Sequence, residues 1–145
     1  MLLHIKTFDE LTTNELYAIL RLRAAVFVVE QNCVYQDLDD KDQTSLHLFL
    51  TEGEEIIAYA RVIPAGVSFP EVAIGRVIST RRRQGLGTRI VGEAITVARE
   101  RFHAPSIVLE AQVYARSLYE KLGFCQTSEE FLEDGIPHIQ MKLDC

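Results

Sequence analysis

The sequence predicts a single α/β (α+β) domain, on three observations. Short β-branched or alternating runs are interleaved with amphipathic helical stripes along the whole chain. No internal repeat, low-complexity tract or Pro/Gly/Ser linker divides its 145 residues. Hydrophobic residues at 48% against 25% charged give a globular composition with enough apolar material for one core, and exclude a disordered chain.

Element by element, Leu2 to Phe8 opens as a strand. Thr12 and Glu15 then form a T-x-x-E capping box, with Leu11 and Leu16 placed as a hydrophobic staple. Leu16, Ile19, Leu20 and Phe27 continue that stripe as a helix. Gln31 to Gln43 is irregular and acidic. Ser45 to Thr51 and Glu55 to Pro64 read as strands joined at Glu52-Gly53-Glu54, and a loop around Gly66 to Pro70 leads to a third run, Glu71 to Ser79. Thr88 to Phe102 is a helix whose apolar face carries Ile90, Val91, Ala94, Ile95, Ala98 and Phe102. Ser106 to Ala111 reads as a buried strand, and Tyr114 to Leu122 as a short helix that Gly123 ends as its C′ residue. Phe124 to Phe131 and Ile136 to Leu143 close the chain as a strand pair. Strand order does not follow from these patterns.

Composition narrows the function. No apolar run exceeds Ala24 to Val29, too short to span a bilayer, and MLLHIKTFDE lacks the basic and apolar regions of a secretory signal. The net charge of −6 argues against a nucleic-acid partner. Cys33, Cys125 and Cys145 form no C-x-x-C pair; they predict neither a disulfide framework nor a metal site, and suit a reducing cytoplasm.

The most informative stretch is Val77-Ile78-Ser79-Thr80-Arg81-Arg82-Arg83-Gln84-Gly85-Leu86-Gly87-Thr88. It runs from a strand into a helix through a turn holding two glycines and three arginines. Glycine lets the backbone approach a ligand closely, and the helix N-terminus offers free N–H groups to an anion. Guanidinium groups suit phosphate oxygens. A P-loop is excluded because no lysine follows either glycine, and a dinucleotide fingerprint is excluded by Ile90 at its third glycine position. A pyrophosphate fits; a glycine-rich connector with solvated arginines is the plain alternative.

Arg82, Gly85 and Gly87 resemble the [QR]-x-x-G-x-[GA] acyl-CoA-binding signature of the GNAT acetyltransferase superfamily. Downstream, Gln112-Val113-Tyr114-Ala115-Arg116-Ser117-Leu118-Tyr119-Glu120-Lys121-Leu122-Gly123-Phe124 is similar to that family's N-x-x-A-x-x-[FL]-Y-E-K-x-G-F signature, with glutamine in place of the asparagine. Val26-Phe27-Val28-Val29-Glu30-Gln31 and Glu133-Asp134-Gly135-Ile136-Pro137-His138 resemble the ElaA-like subgroup, so the likeness spans nearly the whole chain. It implies a mixed, mostly antiparallel sheet of about seven strands flanked by helices. The implied activity is N-acetyl transfer from acetyl-CoA to an amine by direct attack, without a covalent enzyme intermediate and without a metal.

The resemblance also assigns residues. Backbone N–H groups from Arg83 to Thr88, that is Arg83, Gln84, Gly85, Leu86, Gly87 and Thr88, together with Arg82, would hold the pyrophosphate. Val77, Ile78 and Ser79 would pair strand-like with the pantetheine arm, between two splayed parallel strands, with Gln112 nearby. Donors near Val77 would face the thioester oxygen. Tyr119 is the implied acid for the leaving sulfur, a phenol protonated at neutral pH, although tyrosine on a short amphipathic helix is also ordinary packing. Glu71 is the implied base, weighed against a solvated carboxylate at a strand start. His47 and His138 are further proton acceptors or substrate contacts, Glu110 lies next to the splay, and Glu30 belongs to the acceptor side. Asp37 to Asp42, with Glu129, Glu130, Glu133 and Asp134, would form an anionic wall for a cationic amine, against a plain reading as surface charge. Relatives commonly dimerise, so a homodimer is a further expectation. Two rivals stand beside the enzyme: an acyl-CoA-binding regulator without turnover, and a nucleotide or nucleic-acid module reading phosphates through Arg81, Arg82 and Arg83.

Overall fold

A computed structural model describes residues 1–144. Its strands are β1 (Leu2–Thr7), β2 (Leu46–Glu52), β3 (Glu55–Ile63), β4 (Val72–Ser79), β5 (Ser106–Gln112), β6 (Cys125–Gln126), β7 (Phe131–Glu133) and β8 (Ile136–Asp144), and its helices are α1 (Thr13–Arg23), α2 (Leu86–Phe102) and α3 (Arg116–Lys121). Among the described residues the strands form one sheet of order β1-β2-β3-β4-β5-β8-β6, with β7 added on β8. The β4–β5 pair is parallel, and the other pairs are antiparallel.

Alternation along the strands decides which face each helix covers. Leu48, Leu50, Ala58, Ala60, Val62, Ile107 and Leu109 point to one side, where Ile90, Val91, Ala94 and Ala98 of α2 pack against them. Phe49, Tyr59 and Ile78 point to the other side and meet Ile19 of α1. Helix α1 thus covers β2 to β4, and leaves the same face of β5 and β8 polar, with Glu110, Gln112 and His138 along it.

Local signals explain the helix ends. Thr12 Oγ1 accepts from the Glu15 N–H at 3.0 Å, and Glu15 Oε1 accepts from the Thr12 N–H at 2.8 Å, which closes the capping box. Past Arg23 the helix widens into π-helical turns over Ala24–Glu30. Helix α2 starts at Leu86 rather than Thr88, with Gly85 as its N-cap residue at φ 69°. Gly123 sits at φ 100° and lets the Phe124 N–H donate to the Tyr119 carbonyl at 3.1 Å.

The expected strand Phe124 to Phe131 is divided. Past Gln126 the ladder fails: the Thr127 N–H still donates to the Gln140 carbonyl at 2.9 Å, but the Gln140 N–H donates to Ser128 Oγ at 2.8 Å in place of a backbone carbonyl, and pairing resumes only at Phe131. That division raises the expected seven strands to eight.

Two departures from regular pairing shape the centre of the sheet. Strands β4 and β5 are in register only at Val72 with Ile107 and Ala73 with Val108; beyond those pairs they diverge. The β3–β4 register slips between Tyr59, opposite Ile78, and Arg61, opposite Gly75, so Arg76 and Val77 together face Ala60 as a β-bulge.

Candidate active site

The divergence of β4 and β5 opens a cleft of about 1200 Å³. Its walls come from Gly75 to Val77 of β4, Leu109 and Glu110 of β5, Leu118 and Tyr119 of α3, the π-helical turn, and the β7–β8 turn.

At the exit of β4, Ser79, Arg82 and Gly87 line the cleft. Arg83, Gln84, Gly85 and Thr88 are exposed on the turn and the first turn of α2, while the Leu86 side chain is buried in the core and leaves only its backbone to the surface. Arg83 and Gly85 both adopt positive φ, at 61° and 69°, which curls the backbone ahead of the helix N-terminus. Beyond its own chain neighbours, no protein atom lies within 4 Å of a Cβ built at Gly85, so the space is open for an anion. Arg81 is turned away: its guanidinium pairs with Glu52 at 2.9 Å and Glu55 at 3.7 Å, which removes it from the arginine trio. Val77 lines the cleft, whereas the Ile78 side chain is 2% exposed in the core against Ile19 and contributes only backbone.

Tyr119 reaches the cleft from α3. Its ring packs edge-on against Phe124, with centroids 6.0 Å apart, and burial pushes its phenol well above the ordinary tyrosine range. It therefore stays protonated at neutral pH, a donor with an apolar surround. Gln112 also lines the cleft, and its Nε2 donates to Gln31 Oε1 at 3.2 Å, tying the end of β5 to the turn after α1.

Glu30, Glu110, Glu133, Asp134 and His138 gather at the cleft. Partial withdrawal from water raises the Glu110 carboxyl, and the neighbouring Glu133 charge adds to the shift. His138 Nδ1 donates to the Ile136 carbonyl at 2.7 Å, which leaves Nε2 as the acceptor of the neutral ring, 3.8 Å from Glu133. His138 also stacks on Phe131, with centroids 6.1 Å apart.

Two expected site residues stand elsewhere, and the expected acidic wall is tied up in ion pairs. Glu71 precedes Val72, where β4 and β5 are still paired; it does not line the cleft, and its carboxylate lies 3.7 Å from Lys142 Nζ. His47 is fully buried under α1, Nε2 donating to the Asp42 carbonyl at 2.9 Å and Nδ1 accepting from the Tyr59 hydroxyl at 2.7 Å, so both nitrogens are committed. Burial holds its pKa below the ordinary imidazole value. Of Asp37, Asp39 and Asp42 only Asp39 lines the cleft, and all three are paired with arginines rather than presented as an anionic wall. Asp37 accepts from Arg23 Nε at 2.9 Å, Asp42 from Arg23 Nη1 at 2.6 Å and Arg61 Nη1 at 2.9 Å, and Asp39 from Arg61 Nη2 at 2.8 Å. Burial opposes ionisation of Asp39, yet the Arg61 hydrogen bonds and charge overcome it and hold the carboxyl well below the usual range. The readable signal was Arg23 in the apolar stripe of α1 and Arg61 within the apolar run of β3, both positions that demand a buried counter-charge.

A parallel strand pair that splays beside a glycine turn, with a helix N-terminus behind the turn, defines the acyl-CoA N-acyltransferase fold, and solved structures bear this out. Over 99% of both chains, the structure is similar to an acyl-CoA N-acyltransferase from Pseudomonas aeruginosa (TM-score 0.92, 36% identity) and to ElaA of Escherichia coli (TM-score 0.93, 35% identity). In sequence, the chain is 38% identical to the Escherichia coli K12 ElaA protein over 92% of this chain and 90% of that one. It is also 40% identical to a UPF0039 protein of Schizosaccharomyces pombe, over 96% and 94%. The family model described as "Acetyltransferase (GNAT) domain" matches residues 10–145, and the chain belongs to the GNAT acetyltransferase family, with ElaA among its homologues. Among the described residues, no helix is long and apolar enough to cross a membrane, and no group of three His, Cys, Asp or Glu side chains is arranged to hold a metal ion.

Proposed function

We propose that the protein transfers an acetyl group from acetyl-CoA to the amine of a small molecule or peptide. The observation that carries this reading is the splay between β4 and β5, which opens a cleft that Val77 and Tyr119 both line. The donor supplies a thioester, an acyl group already activated towards amine attack. Backbone N–H groups of the turn from Arg83 to Thr88, with Arg82 beside them, hold its pyrophosphate, and the backbone of Val77 to Ser79 aligns its arm. The Val77 N–H, in the β4 bulge, stabilises charge on the carbonyl oxygen. Tyr119 gives its proton to the departing sulfur.

The amine enters from the open face of β5 and β8. Glu30, Glu133 and Asp134 attract it as a cation, and a neutral nucleophile then requires loss of a proton. Glu110 and His138, which share the cleft, take that proton; Glu71 does not, because it lies outside. Apolar surface at Tyr114 and Leu132, 80% and 73% exposed beside these acids, favours an acceptor whose amine sits on an apolar body.

Isothermal titration with acetyl-CoA, free CoA and ATP tests the reading. Micromolar binding of both CoA species, with much weaker ATP binding, is expected; absence of CoA binding overturns it. Among amines screened for turnover, Tyr119→Phe is expected to lower kcat by about 10²-fold or more, with acetyl-CoA affinity retained because the ring still packs on Phe124. Undiminished kcat would return Tyr119 to a packing role and favour the regulator.

A further inference from the structure

Arg76 occupies a backbone conformation that its side chain does not favour. Its φ is 53°, in the left-handed region, and it stands as the first of two residues opposite Ala60 in the β4 bulge, a position that commonly takes glycine. Such strain persists only where the surroundings over-determine it.

Here they do. Arg76 Nε lies 2.8 Å from Asp37 Oδ1 in an ion pair whose N–H is not aimed at the oxygen, and Nη2 donates to the Asp37 carbonyl at 3.1 Å and contacts Asp39 Oδ2 at 3.4 Å. The guanidinium also lies over the Tyr35 ring, 5.5 Å from its centroid, while the Tyr35 hydroxyl donates to Asp37. Asp37 and Asp39 are fixed in turn from behind by Arg23 and Arg61. A strap of residues 35–42 is therefore bolted to α1 and β3, and Arg76 ties it to the bulge. The next residue, Val77, also lines the cleft, where the donor carbonyl would lie.

We propose that Arg76 is a positioning residue: its guanidinium, held by the 35–42 strap, locks the left-handed bulge of β4 and so aims the Val77 N–H at the thioester carbonyl. The proposal rests on the acetyl-CoA reading above and adds a residue that acts on the reacting carbonyl only through its neighbour Val77.

The test titrates acetyl-CoA carrying ¹³C at the carbonyl into the wild type, Arg76→Ala, Arg76→Gly and Arg76→Lys, and reads both Kd and the bound carbonyl resonance. The wild type should move the carbonyl downfield of its free position, as hydrogen bonding polarises it. Arg76→Ala and Arg76→Gly should bind with Kd within about threefold of wild type, below 1 kcal/mol, because the pyrophosphate turn is untouched. Their bound resonance should fall back towards the free position, and Arg76→Lys should lie between. The fold should survive, since Asp37 keeps Arg23 and Asp39 keeps Arg61. Arg76→Gln, neutral and of similar volume, provides the same reading if the alanine variant does not fold.

A wild-type carbonyl position in Arg76→Ala overturns the proposal. So does recovery in Arg76→Gly alone, which would mean that the left-handed backbone and not the guanidinium sets the bulge. Failure of the wild type itself to bind would instead remove the acetyl-CoA reading, and this proposal with it.

Discussion

Gly85→Glu is expected to lower acetyl-CoA affinity by at least about 100-fold, some 2.7 kcal/mol. Gly85 caps α2 from the left-handed region at φ 69° and ψ 14°, immediately before N–H groups that have no intrahelical partner. A glutamate there sets a carboxylate against the same donors that would receive the pyrophosphate, and a like charge beside a bound phosphate costs further. The folded chain should tolerate the change. Beyond the chain neighbours, nothing lies within 4 Å of the added Cβ, so the expected stability loss is the left-handed conformation alone, about 1–2 kcal/mol. Gly85→Ala separates the contributions, because it carries the same backbone strain without charge or reach. Titration should find the alanine variant much closer to wild type than the glutamate. Equal losses in the two variants would assign the effect to backbone geometry, and undiminished affinity in Gly85→Glu would move the pyrophosphate off this turn.

The parts of the fold that were legible are those with local causes. The capping box at Thr12 and Glu15, the apolar face of α2 and the Gly123 cap each depend on residues within a few positions, and each formed where the pattern placed it. The glycine turn was legible for the same reason. The misplacements arose where pairing across the sheet decides. His47 alternates with apolar neighbours, but alternation alone does not say which face α1 covers; it covers the face of His47 and Phe49, and the histidine becomes buried structure. Glu71 stands just ahead of the right strand, yet the strands part only beyond Ala73, a register that no local pattern encodes. The bulge at Arg76 is likewise a two-strand property. The acidic segment was read by composition as wall or surface, whereas its partners are arginines from α1, β3 and β4, far apart in sequence.

Arg23→Ala is expected to cost about 3–5 kcal/mol, measured as a fall in the urea midpoint at unchanged m. Arg23 is fully buried, and its guanidinium contacts both Asp37 and Asp42, themselves only 3% and 7% exposed. Burial alone would favour its neutral form, but the Asp42 hydrogen bond and the charges around it hold the proton more firmly than usual. Truncation leaves a cavity and removes the shared cation, so that Arg61 and Arg76 face a surplus of buried negative charge. The loss is a large part of the 5–15 kcal/mol typical of a domain. Arg76→Ala removes a cation from the same network yet should cost far less, because the Arg76 side chain is 22% exposed and water can enter where it stood. Arg23→Lys should fall between the two alanine variants: it keeps the charge, but an ammonium cannot reproduce the fork that spans two carboxylates. If Arg23→Ala and Arg76→Ala shift the midpoint equally, burial is not what makes this network expensive to break. If Arg23→Ala shifts it hardly at all, Asp37 and Asp42 are served well enough by Arg61 and Arg76, and the strap is held from the sheet rather than from α1.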